Sequence, residues 1–341
     1  MSAKHLPVGL IALAIVGFLL PLTGDDFLIR DLGVASLSIA LVVMSVSFLA
    51  GFGGMVSFSQ TAVAGIAGYS VAILVVRHGW SWETAALGAV AAAAVAGFVI
   101  GLLAARAYGL YFVMITLALG LMVYYYTGTN FDLTNGTAGL YGVNAPRIGL
   151  LGLDTNVSFY YLCLIAVLAA AFFLRYLLGT QFGLTLQASR DNPARLQALG
   201  YNVYWHRVWA FTIASGVAGL GGVLNVWYVG GIAPGTLDVT RTVIVVVMAV
   251  LGGVMSLSGP ILGAWLVTYL SIFMSTYTGR YNTVIGVIFV VVLYVAPGGL
   301  GSIAKSFGSR SRRLRSRLGP ANLARLLRAS PDPGDANPSD N

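Results

Sequence analysis

Ionised side chains are scarce in this 341-residue chain, at 9% of the residues, whereas a water-soluble domain covers its surface with about 25%. A soluble globular fold is excluded by that shortage. Cysteine is nearly absent too: Cys163 stands alone inside an apolar run, so no disulfide framework and no cysteine metal site can form within one chain. Lysine occurs twice, as Lys4 and Lys305, and no G-x-x-x-x-G-K-[ST] segment is present, which excludes nucleotide hydrolysis by this chain. The three histidines, His5, His78 and His206, lie far apart in sequence, against a histidine metal cluster. There is no dinucleotide fingerprint and no nucleophile elbow. The chain therefore reads as no enzyme, with no cofactor and no metal of its own.

The placement of the eleven acids excludes more. All of them lie between or at the edges of the apolar runs, as the cost of a charge at the bilayer centre requires. A proton-driven carrier would be expected to bury a carboxylate as a relay, and none is placed mid-run. A sodium site of backbone carbonyls and hydroxyls stays compatible with the sequence.

What the chain has is apolar length: 58% of its residues are hydrophobic, and 43 are glycine. In membranes Gly lets helices approach closely and marks interrupted ones. With about 17 to 25 apolar residues per span, ten segments qualify, near 8–22, 33–52, 61–77, 84–105, 110–127, 158–178, 208–228, 239–256, 259–275 and 283–297. The expected fold is all-α, a polytopic helical bundle of about ten transmembrane helices. The fourth-to-fifth and eighth-to-ninth junctions are short enough for either a hairpin or a broken, re-entrant helix. The first run lacks a small-residue cleavage site and reads as a retained span.

Residues 1–304 form the membrane domain in this reading, and 305–341 a basic tail. The tail carries Lys305, Arg310, Arg312, Arg313, Arg315, Arg317, Arg325 and Arg328, which assigns it to the cytoplasm. An even span number puts the N-terminus inside as well, together with the loop 180–207, while Asp25 to Asp31 and Thr129 to Asn156 fall outside. The basic tail, with its interspersed leucines, suits either the anionic inner leaflet or free solvation; its last dozen residues have a disordered composition.

Within the inner loop, Asn192 can cap a short helix begun by Pro193 and stopped by Gly200. Leu196 and Leu199 are expected on one face of it, seeking cover from a partner protein or from the chain's own bundle. Polar residues in or near the spans are few: Ser57, Ser59, Gln60, Thr61, Thr116, Asn225, Ser256 and Ser258. Hydroxyls and amides at broken helices suit the path of a neutral or zwitterionic solute, although most intramembrane Ser and Thr bond their own backbone. Gly53-Gly54-Met55-Val56-Ser57-Phe58-Ser59 is echoed by Gly252-Gly253-Val254-Met255-Ser256-Leu257-Ser258; an internal repeat and chance in a Gly-rich chain both explain it. Gly97 with Gly101, and Gly259 with Gly263, mark close helix packing, inside the subunit or against a second one.

Four stretches resemble a known family in order and character. They are Gly54 to Tyr69, Gly109-Leu-Tyr-Phe-Val-Met-Ile-Thr116-Leu-Ala118, Leu133-Thr-Asn-Gly136-Thr-Ala-Gly139-Leu140, and Phe182 to Asn202. Together they are similar to LivM-type permeases of bacterial ATP-driven branched-chain amino acid importers, over roughly Gly33 to Gly299. The chain departs from the family pattern at Ser59, where Gly is common, and at Pro193, where Glu is frequent. The resemblance implies a permease subunit in the bacterial inner membrane, forming half of a translocation path. Its implied partners are a homologous second permease, two ATPase subunits carrying ATP and Mg, an extracytoplasmic solute-binding protein and membrane lipid, with no nucleic acid. Arg190, Asp191, Asn192, Pro193, Arg195, Leu196, Leu199 and Gly200 would form the element that couples to the ATPases. The same architecture could import urea, short amides or other amino acids; a stand-alone channel or ion-coupled carrier is the reading from another class.

Overall fold

The computed structural model describes residues 17 and 18, 27–143, 155–277 and five positions between 283 and 290. Of the ten expected segments, those at 33–52, 61–77, 84–105, 110–127, 158–178, 208–228, 239–256 and 259–275 lie in this region, and each forms a helix. The segments at 8–22 and 283–297 lie almost wholly outside it, as does the basic tail. Six of the eight helices are long and apolar enough to cross a membrane. The count of ten is therefore not reached among the described residues, and the architecture they form is an all-α polytopic bundle.

Helix α1 spans Ile29–Phe52, and 94% of its apolar window is buried. A helix that is apolar on every side belongs in the interior, and α1 is the central element. Its serines do not disturb that burial, because Ser38 and Ser45 donate to the carbonyls of Ala35 and Val42. After it in the chain come α2 (Gln60–Val76), α3 (Trp82–Ala104) and α4 (Leu110–Thr129). A single helical turn, α5 (Phe131–Thr134), precedes α6 (Thr155–Gly179). Then follow α7 (Gln181–Asp191), α8 (Pro193–Ala198), α9 (Val203–Val229), α10 (Val239–Gly252) and α11 (Gly259–Tyr277). Both short junctions are hairpin turns between separate helices.

Small residues set the spacing of the bundle. A Cβ on Gly222 of α9 would lie 2.0 Å from the carbonyl oxygen of Ala64 on α2, and one on Gly97 of α3 would lie 2.1 Å from the Ser215 side chain on α9. Gly263 of α11 meets the backbone of α10 in the same way, 2.2 Å from the Met248 oxygen. Both small-residue pairs noted in the sequence thus pack within the subunit.

The two ends of the bundle differ. At one end, Leu140–Tyr141 (β1) and Gly231–Ile232 (β2) pair antiparallel, with Leu140 opposite Ile232. Arg77 donates to the carbonyl of Asp132, and Trp82 meets Trp227 edge-on at 6.1 Å. The other end carries the α3–α4 turn, α7, α8 and the start of α9. Among the described residues it holds Arg106, Arg175, Arg190, Arg195 and Arg207 with Asp191, whereas the β end holds Arg30, Arg77 and Arg241 with Asp31, Glu83, Asp132 and Asp238. Half-exposed tryptophans flank both ends, Trp80 and Trp82 at one and Trp205 and Trp209 at the other, as aromatic belts do at membrane surfaces.

Candidate functional site

Helices α2 and α10 are too short to span. Their 17 and 14 residues rise about 25 and 21 Å at 1.5 Å per residue, against a hydrocarbon core of about 30 Å. In each case the echoed glycine-serine segment makes up the missing depth as irregular chain. Irregular backbone at such depth is tolerated only where protein covers it. For the first segment, the covering groups come from across the fold.

Met55 N–H donates back to the Leu49 carbonyl at 2.9 Å, and Phe58 N–H donates to the Thr116 hydroxyl on α4 at 3.2 Å. The hydroxyls of Ser57 and Ser59 lie 3.1 Å apart, and Ser59 N–H donates to Ser57 Oγ. The Ser45 hydroxyl on α1, whose hydrogen goes to the Val42 carbonyl, lies 3.4 Å from the side-chain amide of Gln60. Ser57, Ser59, Gln60 and Thr116 are all fully buried, and Thr61 nearly so. Gln60 Nε2 has no acceptor among the described residues, a costly arrangement for a buried amide. The five path candidates from the first half of the chain thus form one enclosed polar cluster around the break.

The other three path candidates lie apart from it. Ser256 accepts from Gly259 N–H at 3.1 Å and donates to the Gly253 carbonyl, a local cap on α11. Ser258 is part-buried beside it, and Asn225 is part-buried on α9 without a side-chain hydrogen bond among the described residues. The two breaks nevertheless approach each other: a Cβ on Gly51 would lie 1.9 Å from the Val254 oxygen.

Two arginines from the loop 180–207 reach this junction. Arg190 closes α7, and its Nη1 donates to the Gly51 carbonyl and to Met255 Sδ, while Nε and Nη2 pair with Asp191 at 3.0 and 2.8 Å. Gly54, with φ +66°, makes room for it: a Cβ there would lie 2.5 Å from Arg190 Cγ, and its left-handed backbone suits glycine. Arg207 is 4% exposed. Its Nη1 donates to the carbonyls of Ala105 and Ala107 at 2.7 and 2.9 Å, its Nε meets Met55 Sδ at 3.2 Å, and its guanidinium lies 4.2 Å from the Tyr108 ring centre. The sequence reading takes Arg207 for a loop charge. Instead α9 begins at Val203, because Asn202 Oδ1 caps it at Trp205 N–H, and this first turn carries Arg207 inward.

The loop also differs from expectation in its helices. Residues 181–191 are already helical, and α8 follows after Asn192, whose Oδ1 accepts from Arg195 N–H at 2.9 Å with Pro193 in the first helical position. Gly200, at φ +86°, ends the turn as expected. Leu196 and Leu199 do not share an outward face: Leu196 is 5% exposed and Leu199 70%. Three residues turn a helix through about 300°, and on a helix lying against the bundle the remaining 60° separates covered from open. Leu199 stands beside a surface cleft of 340 Å³ lined by Gln197, Gly200, Tyr201, Asn202, Val203 and Tyr204.

No group of three or more metal-ligating side chains exists among the described residues. Comparison with known proteins adds the following. A family model for the branched-chain amino acid transport system permease component matches residues 28–296. The high-affinity branched-chain amino acid transport system permease protein LivM of Escherichia coli is 24% identical over 293 residues, covering 79% of this chain and 69% of that protein. From Methanocaldococcus jannaschii, a probable LivM permease is 26% identical over 185 residues, 49% of this chain and 53% of its own length. A probable LivH permease of the same organism is 26% identical over 134 residues, 36% and 42%.

Proposed function

The chain belongs to the branched-chain amino acid transport permease family, and from that premise we propose that it is the LivM-like subunit of an ATP-driven importer. It forms half of a path for branched-chain amino acids across the bacterial cytoplasmic membrane. The observation that carries this reading is the extent of the family match, which takes in α1 to α11 and the whole loop 180–207. The other half of the path belongs to a homologous permease; the similarity of this chain to both a LivM and a LivH protein supports such a pair. Two ATPases dock on the α7–α8 loop, and an external binding protein delivers the solute.

The arginine-rich end faces the cytoplasm. Five arginines against one aspartate at that end, and three against four acids at the other, have the asymmetry of the positive-inside rule. With the first and tenth apolar runs added, the count becomes ten spans and both termini lie inside. ATP and Mg bind the partner subunits, and this chain supplies mechanical contact through Arg190 to Gly200, with exposed Leu199 and the neighbouring cleft as its docking surface. Among the path candidates, Ser57, Ser59, Gln60, Thr61 and Thr116 meet the solute first, because they are gathered at one break.

Uptake of labelled leucine in cells with and without this chain tests the reading. Loss of leucine, isoleucine and valine uptake on deletion is the expected result; unchanged leucine uptake beside lost urea or amide uptake reassigns the solute while keeping the architecture. Solute flux in liposomes holding this chain alone, without ATPases or binding protein, would falsify the importer model in favour of a channel or an ion-coupled carrier.

A further inference from the structure

Arg190 and Arg207 both reach the stretch from Gly51 to Met55, the first at the Gly51 carbonyl and beside Gly54, the second at the Met55 thioether, yet they are held in different ways. Arg207 is enclosed: two carbonyls, a thioether and the faces of Tyr108 and Phe112 surround its guanidinium. A charge taken out of water stays where its partners are, since removing them leaves it uncompensated. Arg190 is partly open, its side chain 29% exposed, and its carboxylate partner Asp191 is 68% exposed. Water replaces such contacts at little cost. Arg190 and Asp191 also ride on the same helix, α7, so a displacement of α7 carries the ion pair along while breaking the contacts of Arg190 with Gly51, Gly54 and Met255 and lifting buried Leu186 off Gly53.

Behind these contacts lies the polar cluster, completely shut off from solvent. Ser57, Ser59 and Gln60 have no exposed surface, and one end of the Gln60 side-chain amide is without a partner among the described residues. A buried polar atom left without a partner favours any state that supplies one, as water does. The closed state therefore needs a restraint, and at its loop end the Gly53–Ser59 segment is met by the Arg190 stem packed on Gly54, by Arg207 at Met55 Sδ and by Leu186 beside Gly53.

We propose that Arg190 and Arg207 form a latch, the first exchangeable and the second fixed, that keeps the Gly53–Ser59 segment closed over Ser57, Ser59 and Gln60 until α7 is displaced. Arg190 joins Gly51 to Met255, so one movement of α7 parts the first break from the second, while Arg207 retains Met55 as the hinge about which the first break opens. The identity of what moves α7 rests on the importer reading; the latch itself does not.

The test is the accessibility of a cysteine placed at Ser57 in the full chain, probed with a membrane-impermeant maleimide in inverted and in right-side-out membrane vesicles, whichever exposes the α7 end. Native Cys163, which is fully buried, stays in place as a monitor of folding. Arg190→Ala is expected to raise labelling of the Ser57→Cys chain about ten-fold while Cys163 stays silent, as follows when one charge-assisted contact is removed from a local opening equilibrium. Arg190→Lys, which keeps a donor but loses the fork, is expected to raise it about three-fold. Unchanged labelling in both variants overturns the latch. Should Arg190→Ala also expose Cys163, the lysine variant decides alone, with the same two outcomes. Faster labelling in a chain whose deletion leaves amino acid uptake intact would keep the latch and refute the importer reading.

Discussion

The two glycine-serine breaks share a sequence pattern and differ in what holds them. The first, Gly53 to Ser59, is fastened by distant groups: Thr116 from α4 at Phe58, Arg207 at Met55, and the Arg190 side chain packed on Gly54. The second, Gly253 to Ser258, is fastened chiefly by itself, through the Ser256 cap and the contact of Gly252 with Gly259, where a Cβ on the former would lie 2.2 Å from the carbonyl oxygen of the latter. A break held by remote side chains can be released by moving them. One held by backbone packing moves as a unit with its hairpin.

Substitutions separate the two. The largest effect is expected from Gly252→Val, which forces a side chain into the backbone of α11 and costs about 3 kcal/mol or more; thermal unfolding of the purified chain in detergent should show a cooperative loss, and a wild-type melting temperature would contradict the packing described. Arg207→Met comes next. It strips the Ala105 and Ala107 carbonyls of their donor and should destabilise by about 2 to 3 kcal/mol, with Arg207→Lys recovering part of the loss in the same assay. Thr116→Val removes the acceptor of Phe58 N–H and should cost about 1 to 2 kcal/mol, with faster hydrogen exchange at Phe58 and none of that change at Leu257. The smallest effect belongs to Ser256→Ala, about 1 kcal/mol from a lost helix cap, with protection lost at Gly259 and leucine uptake largely retained. If Ser256→Ala instead abolished uptake while Thr116→Val did not, the functional ranking of the breaks would be reversed.

The spans were legible because bilayer thickness writes itself into the length of apolar runs; the expected 61–77 and 84–105 differ from α2 and α3 by one or two residues. Hydropathy alone overran α10, drawing it to residue 256, because the signal that ends the helix is the left-handed Gly253 at φ +96°, a backbone property rather than an apolar one. The caps at Asn192 and Asn202 were both present as residues, but only the first was read; missing the second left Arg207 outside its helix. The gathering of Ser57, Ser59, Gln60, Thr61 and Thr116 followed in part from adjacency. That Thr116 joins them depends on a contact across 58 positions, and the reach of Arg190 to Gly51 crosses 139. No local pattern encodes such partners.

The two-residue β ladder is the smallest element described, and it sits at the end opposite Arg190 and Arg207. By tying residue 140 to residue 232 it joins the segment that follows α5 to the chain leaving α9, while at the opposite tip of α9 Arg207 is bonded to the carbonyls of Ala105 and Ala107. Helix α9, 27 residues long and therefore about 40 Å from tip to tip, is thus pinned at both extremities. A push at either tip is shared along its whole length, so this helix serves the bundle as a stay and not as a lever.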